Sequence, residues 1–131
     1  MLRILLVIAA LALASCVSVP TKQYPGADLP ISDLAVIHTK DIRMQKINGN
    51  TLGIGKDAGE YHLMPGNYEL CFIYSDGTAW FKRPVYSVEL EAGKTYILKG
   101  FTPPAGGWTF TFIENSSKSE VGHIERWETN W

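Results

Sequence analysis

This chain has little excess charge of either sign, and it has few cysteines. Its 131 residues include 12 basic and 13 acidic side chains, which leaves a formal net charge of −1 at neutral pH. Proteins that bind nucleic acid carry a basic patch or stripe, and the basic residues here form no such cluster. The balance of charge therefore disfavours a nucleic-acid partner. The two cysteines, Cys16 and Cys71, would suggest a single disulfide in an oxidising compartment.

The chain also lacks an apolar run long enough to span a membrane. Its longest apolar stretch, residues 4–13, has ten residues, whereas a transmembrane helix needs about 20. Arg3 precedes this stretch, and the small residues Ala14 and Ser15 follow it. A positive residue, a short apolar run and small residues, in that order, are typical of a secretory signal peptide. Residues 1–15 are therefore predicted to be a signal peptide.

The sequence Leu13-Ala14-Ser15-Cys16, directly after the apolar stretch, resembles the lipobox of bacterial lipoproteins. The resemblance implies cleavage before Cys16 and attachment of lipid to its thiol, which anchors the protein to an envelope membrane. Several acyl chains hold a protein firmly in the membrane, because each buried CH₂ contributes about 0.8 kcal/mol to the membrane affinity. In such lipoproteins Asp after the lipidated cysteine causes retention in the inner membrane, so Val17 implies the outer membrane, facing the periplasm. The alternative is an ordinary secretory signal with a chance cysteine near its cleavage site.

Residues 16–32 are predicted to carry the lipid and a tether, and residues 33–131 to form one domain. Pro20, Pro25 and Pro30 interrupt the tether, where apolar residues show no periodicity. A segment of this kind is semi-extended and separates a domain from the lipid surface. The remaining chain is long enough for one domain with its own core.

Short apolar and β-branched segments alternate with turn residues in the predicted domain. Asn48-Gly49 is a strong hairpin signal, because a type I′ turn needs positive φ at both central residues. Pro84 falls inside one segment, which predicts an edge strand or a bulge. Short strands at regular spacing, with no helical periodicity, predict an all-β fold, namely a small antiparallel β-sandwich or a barrel. The predicted strands are 34–39, 42–47, 51–55, 61–64, 68–74, 80–90, 95–101, 108–113 and 121–127.

Alternation within these segments also predicts the core. Leu70 and Phe72 share one face of their strand, and Tyr96 and Leu98 are expected across the sandwich from them. Cys71 lies between the first pair, and lipid would consume the other cysteine. A reactive thiol needs a nearby cation or helix N-terminus, so we predict that Cys71 is buried and unreactive.

Three motifs of turn and strand residues follow one another along the chain. They are Ile47-Asn48-Gly49-Asn50 with Gly53 and Gly55, Met64-Pro65-Gly66-Asn67-Tyr68-Glu69-Leu70, and Leu90-Glu91-Ala92-Gly93-Lys94-Thr95-Tyr96-Ile97-Leu98. This series, within residues 42–113, resembles small bacterial lipoproteins regarded as single immunoglobulin-like or transthyretin-like β domains. Asn48 stands where their pattern usually has Asp. The resemblance implies a fold and brings no catalytic residues.

Motifs that carry chemistry are scarce. His38, His62 and His123 lie far apart in sequence and lack the close spacing of zinc ligands. Glu60 lies two residues from His62, so a weak surface metal site is the less favoured interpretation of that pair. No serine stands in a nucleophile elbow. We therefore predict that the protein is not an enzyme and needs no metal or cofactor.

Aromatic residues, concentrated in the C-terminal half, are the remaining indication of function. Trp108, Phe110 and Phe112 alternate, so one face of their strand is aromatic throughout. Core filling explains these rings most simply. Trp80, Trp108 and Trp131 are the candidates for an exposed binding surface, since aromatic residues concentrate where proteins and sugars bind.

Two functional hypotheses follow from these observations. The first is a non-enzymatic, lipid-anchored accessory domain that binds another envelope protein. The second is a module that binds a glycan or small ligand through exposed aromatic rings. Two coplanar exposed rings on one face would favour the glycan, whereas a mixed apolar patch with a polar rim would favour the protein partner.

Overall fold

The computed structural model describes residues 21–52, 59–74 and 83–128. These residues form ten β-strands and one 3-10 turn at Ile31–Asp33, and none of them lies in an α-helix. The all-β prediction is confirmed. The strands are β1 (Thr21–Lys22), β2 (Ala35–Lys40), β3 (Ile42–Ile47), β4 (Asn50–Thr51), β5 (Glu60–Leu63), β6 (Gly66–Tyr74), β7 (Arg83–Leu90), β8 (Thr95–Phe101), β9 (Thr109–Glu114) and β10 (His123–Glu128).

The strands form two five-stranded sheets that enclose the core. Sheet I has the order β1-β5-β2-β8-β9, and sheet II has the order β10-β7-β6-β3-β4. Sheet II is antiparallel throughout. In sheet I, by contrast, β1 pairs with β5 and β2 pairs with β8 in parallel, so the sandwich is mixed rather than purely antiparallel. The parallel pair is possible because most of sheet II intervenes between β2 and β8 and supplies the long crossover that parallel strands need.

The core lies between the two sheets and comes from the alternating inward positions of their strands. Leu70, Phe72 and Leu98 are fully buried, and Tyr96 is 2% exposed, as predicted. Burial of side chains of this size contributes roughly 1.5–3 kcal/mol each. The other residues of the cluster are Ala35, Ile37, Ile42, Met44, Ile47, Tyr61, Leu63, Tyr86, Val88, Leu90 and Phe112.

The predicted hairpin at Asn48-Gly49 is confirmed. Both residues have positive φ, 50° and 77°, and β3 pairs antiparallel with β4 on either side of them. The Asn48 side chain accepts a hydrogen bond from the Glu69 backbone N–H at 2.8 Å. Its own backbone N–H donates to the Glu69 carbonyl, also at 2.8 Å. Asparagine at this position therefore forms the turn and also attaches it to β6.

Pro84 does not lie on an edge strand, so the first of the two predicted alternatives is wrong. Its strand, β7, lies between β10 and β6. Proline is tolerated because Pro84, the second residue of β7, lies just outside the pairing with β6. The last pair of that ladder is Val85 with Cys71. A bulge is present nearby in β10, where the register shifts between Ile124 and Arg126.

Several predictions fall on residues outside the described ranges. These are the signal peptide, the lipidation site Cys16, and two of the three candidate binding residues, Trp80 and Trp131. Within the described part of the chain, no helix is both long and apolar enough to cross a bilayer.

Phe72 gives the first test of this fold. The side chain is fully buried, and its ring meets that of Phe110 edge to face with centroids 4.8 Å apart. We expect Phe72→Ala to lower the free energy of unfolding by about 3–5 kcal/mol, because a large cavity would remain. Urea denaturation followed by circular dichroism measures this loss. Ile31→Ala is the control, since Ile31 is 54% exposed and should change stability by about 0.5 kcal/mol or less. Equal losses in the two variants would contradict this packing.

Candidate functional site

The edge strands β9 and β10 lie on the same side of the sandwich. After β9 the chain turns and pairs back on it, with the Glu114 N–H donating to the Ser119 carbonyl at 2.9 Å and the Val121 N–H donating to the Phe112 carbonyl at 3.0 Å. Gly122 follows, with φ of 71°, and β10 then joins the edge of sheet II. This short crossing keeps the two edges together. We call the surface formed by Trp108, Phe110, Ile124 and Trp127 the β9–β10 side.

Ile124 and Trp127 point to the inner face of sheet II. Ile124 lies opposite Tyr86, and Trp127 lies opposite Pro84. Directly paired residues share a face of the sheet, and both residues of β7 are buried. Ile124 and Trp127 are nevertheless 40% and 48% exposed. We conclude that β10 extends beyond the described part of sheet I, so its inward apolar side chains remain uncovered.

Trp108 and Phe110 form the margin of the core next to these residues. The Trp108 ring stacks on Tyr74, with centroids 6.1 Å apart and an interplanar angle of 17°. Phe110 contacts Trp108 at 6.0 Å and Tyr86 at 5.5 Å between centroids. Both side chains are half-buried and pack against the core cluster. Trp108, the described member of the three predicted binding residues, is therefore a boundary residue that fills the edge of the core.

The sequence did not reveal Ile124 and Trp127 as a pair. Three positions apart, they would lie on opposite faces of a regular strand. The bulge inserts Glu125 and restores the alternation afterwards, which places both side chains on one face.

The opposite face of β10 is charged. Arg126 donates to the Glu69 carboxylate at 3.0 Å and lies 3.4 Å from Glu128. Arg83 lies 3.9 Å from Glu128 and also donates to the Gln45 side chain at 2.8 Å. The hydrogen bond that Arg126 donates to Glu69 raises the pKa of Arg126. These contacts attach β10 to β6 and β7, so the strand presents charge outward and apolar side chains inward.

Cys71 is buried on this charged side of sheet II, as predicted, with 4% of its surface exposed. Burial raises the pKa of its thiol, which reduces the fraction of reactive thiolate. The nearby charges of Arg83 and Glu128 act in opposite directions. Burial thus outweighs the cations Arg83, Lys46 and Arg126, each of which acts to lower the pKa of the Cys71 thiol.

The turn after β9 is stabilised by a buried carboxylate. Ser116 Oγ donates to Glu114 at 2.7 Å, and the Ser117 N–H and Oγ both donate to it at 2.6 Å. These hydrogen bonds lower the pKa of Glu114 to about 2. The same turn directs Ser119–Val121 back along β9, so the carboxylate supports the crossing that positions β10.

His38, Glu60 and His62 come together on the outer face of sheet I. His62 Nε2 lies 2.7 Å from Glu60 Oε1, and His38 Nδ1 lies 4.0 Å from Glu60 Oε2. His123 instead lies 2.7 Å from Glu125 on β10. Across residues 21–52, 59–74 and 83–128, no three or more ligand side chains are placed to hold a metal ion. Each of the three histidines lies within 4.0 Å of a glutamate carboxylate.

Comparisons of the chain with protein-family models, with curated proteins and with solved structures found no match. The structure shows a small all-β domain with two sheets. The immunoglobulin-like or transthyretin-like assignment and the resemblance to bacterial lipoproteins stay predictions.

Glu114 gives a pH-dependent test. A carboxylate whose pKa is about 2 when folded and 4.5 in its unperturbed state stabilises the fold above pH 4.5, and this contribution disappears as the pH falls towards 2. We expect Glu114→Gln to be less stable than wild type at pH 7, with the difference shrinking between pH 5 and about pH 2. Thermal unfolding of both proteins across this range measures it. A difference that does not change with pH would show that the carboxylate charge is unimportant to the turn.

Proposed function

We propose that this protein is a lipid-anchored lipoprotein of the bacterial envelope, held in the outer membrane by Cys16, whose β domain binds another envelope protein without catalysing a reaction. The lipobox-like sequence Leu13-Ala14-Ser15-Cys16 supports the anchor. The turn-and-strand motifs support membership of a group of small lipoproteins with one immunoglobulin-like or transthyretin-like domain. The observation that carries the binding role is the exposed pair Ile124 and Trp127 on the inner face of β10.

The composition of this surface favours a protein partner. It combines an aliphatic side chain, an exposed tryptophan and the half-buried rings of Trp108 and Phe110. Protein interfaces typically have such an apolar centre, enriched in aromatic residues, and a polar rim. Here His123 and Glu125, 2.7 Å apart, supply polar groups on the same edge strand, with His123 opposite Ser87 on the outer face. A mixed patch with a polar rim matches the first of the two hypotheses.

Glycan binding has weaker support. Sugar rings stack on the flat faces of exposed aromatic side chains, and Trp108 uses one face to stack on Tyr74. Trp127, the exposed tryptophan of the described residues, lies beside the aliphatic Ile124 rather than beside a second coplanar ring. A small-ligand module therefore remains the second candidate.

The anchor is tested by Cys16→Ser. Loss of the thiol should prevent acylation, so the protein should leave the membrane fraction or accumulate as uncleaved precursor, because neither lipid attachment nor processing would follow. Fractionation of cells followed by a high-salt wash and mass spectrometry of the N-terminus measures this. Cys71→Ser is the control and should remain in the membrane fraction. Normal processing and salt-resistant membrane binding of the Cys16→Ser protein would refute the lipoprotein assignment.

The binding role is tested by photo-crosslinking in intact cells. A photoreactive phenylalanine analogue in place of Trp127 should give a discrete crosslinked product with an envelope protein, because Trp127 is the most exposed of the four residues of the β9–β10 side. The same analogue in place of Ile31, which is more exposed at 54% but lies on the 3-10 turn, should not give this product. Identical products from the two positions would show non-specific contact and contradict the assignment of the surface.

A further inference from the structure

The four edges of the two sheets differ in how they are protected against pairing with another chain. Edges β1 and β4 are two residues long. Edge β10 carries three charged side chains, Glu125, Arg126 and Glu128, among its six residues, and it contains a bulge. Short length, charge and bulges are the usual means of blocking edge pairing. Edge β9 has none of these from Thr109 to Thr111, where the sequence is uncharged and β-branched or aromatic throughout.

The backbone of β9 points hydrogen-bonding groups away from sheet I. The Asn115 N–H donates to Thr95 of β8, whereas the Glu114 N–H and the Phe112 carbonyl bond to the returning chain on the opposite side. Since these directions alternate along a strand, the N–H and C=O of Phe110 also face away from β8. No described strand lies beyond β9 in sheet I.

The chain itself already shows that this edge accepts a strand. Residues 119–121 run antiparallel to the C-terminal half of β9, bridging Glu120 with Ile113. They depart at Gly122, where the chain crosses to sheet II. An added strand would pair with the N-terminal half of β9, around Phe110, next to the part of β9 that residues 119–121 already cover.

The exposed residues of β10 lie where they would meet such a strand. The Phe110 ring meets Phe72 of β6 at 4.8 Å and Tyr86 of β7 at 5.5 Å between centroids, so β9 lies over β6 and β7, and β10 is the next strand outward. Neighbouring strands are about 4.8 Å apart and packed sheets about 10 Å apart. A strand added beside β9 would therefore lie over β7 and β10 and cover Ile124 and Trp127.

We infer that the β9–β10 side binds an extended segment of a partner protein, which adds to β9 as a further strand of sheet I. Alternate side chains of the segment are apolar and pack on Ile124 and Trp127. The side chains between them are polar and uncharged, in keeping with Thr109 and Thr111 on the outer face of β9. This inference rests on the proposed binding function and specifies the chemistry of the partner.

A second copy of this chain fits the edge poorly. If β9 paired with its counterpart about a two-fold axis, the β10 of each copy would occupy the space that β7 of the other copy fills, because β7 lies beneath β9. A single extended segment meets no such obstacle. It also satisfies the backbone groups of Phe110, which a lipid chain or a globular apolar surface would leave unpaired.

The test uses a synthetic peptide of about eight residues in which threonine and valine alternate, with a lysine at each end for solubility. Amide hydrogen exchange of the full chain in detergent micelles is measured by NMR with and without this peptide. We expect exchange at the Phe110 amide to slow by about tenfold or more, while the Thr111 amide, which faces β8, changes little. N-methylation of the peptide at the nitrogens that face β9 should abolish the effect, whereas N-methylation at the alternate nitrogens should not.

Side-chain variants test the apolar part of the contact. The combined substitutions Ile124→Ser and Trp127→Ser should weaken peptide binding by about tenfold or more, because the covered apolar area is lost. Ile31→Ser is the matched control, since it makes the same chemical change at an exposed isoleucine away from this surface, and it should leave the affinity unchanged. Equal affinity of the double variant and wild type would overturn the inference.

The remaining outcomes distinguish other occupants of the edge. A different result would be protection of the Phe110 amide from exchange, in the absence of peptide, to a degree that rises with protein concentration. That result would overturn the inference in favour of self-association. Protection that is already complete at every concentration would show that the chain covers its own edge, which also overturns it. If the Trp127 photo-crosslink forms but the peptide neither binds nor protects Phe110, the proposed function stands and strand addition is wrong.

Discussion

The packing of aromatic rings between the two sheets is the constraint on which the rest of this structure depends. Phe72 and Tyr86 of sheet II meet Phe110 and Phe112 of sheet I, with ring centroids 4.8 to 5.5 Å apart. Edge-to-face and tilted contacts of this kind add roughly 0.5–1.5 kcal/mol per pair to the burial itself. Because these rings place β9 over β6 and β7, sheet I ends one strand short of sheet II on this side. The exposure of Ile124 and Trp127 is a consequence of that offset.

Close contacts at the crossing from β9 to β10 maintain the offset. Tyr86 donates its hydroxyl proton to the Val121 carbonyl, which holds the chain against the core just before it changes sheets. Gly122 follows with φ of 71°, and a Cβ there would lie 2.5 Å from the Ser87 carbonyl oxygen. Only glycine meets both requirements, a left-handed backbone and a close approach to β7. The uncovered strand is therefore built into the backbone and does not result from loose packing.

Local patterns in the sequence predicted where the strands lie better than they predicted which strands pair. Strands 42–47 and 95–101 agree with the structure at both ends, and the Asn48-Gly49 hairpin forms as its chemistry requires. The parallel pairing of β2 with β8 was not predicted, because it joins segments separated by most of sheet II and has no local signal. Pro84 was misassigned for the same reason, since its tolerance depends on where the pairing with β6 ends. Simple alternation also places Ile124 and Trp127 on opposite faces of their strand. The bulge at Glu125 moves the side chains after it to the other face, so the two residues share one face.

The topology of sheet I also relates the proposed anchor to the proposed binding surface. The described chain enters sheet I at β1, and β9 is the opposite edge of the same sheet, four strand spacings or about 19 Å away. If Cys16 carries lipid, the five residue steps to Thr21 reach at most about 18 Å, so the β1 edge lies near the membrane surface. The β9–β10 side is then the part of the sheet farthest from the point of attachment. A partner segment paired with β9 would then lie at the opposite edge of sheet I from the anchoring chain.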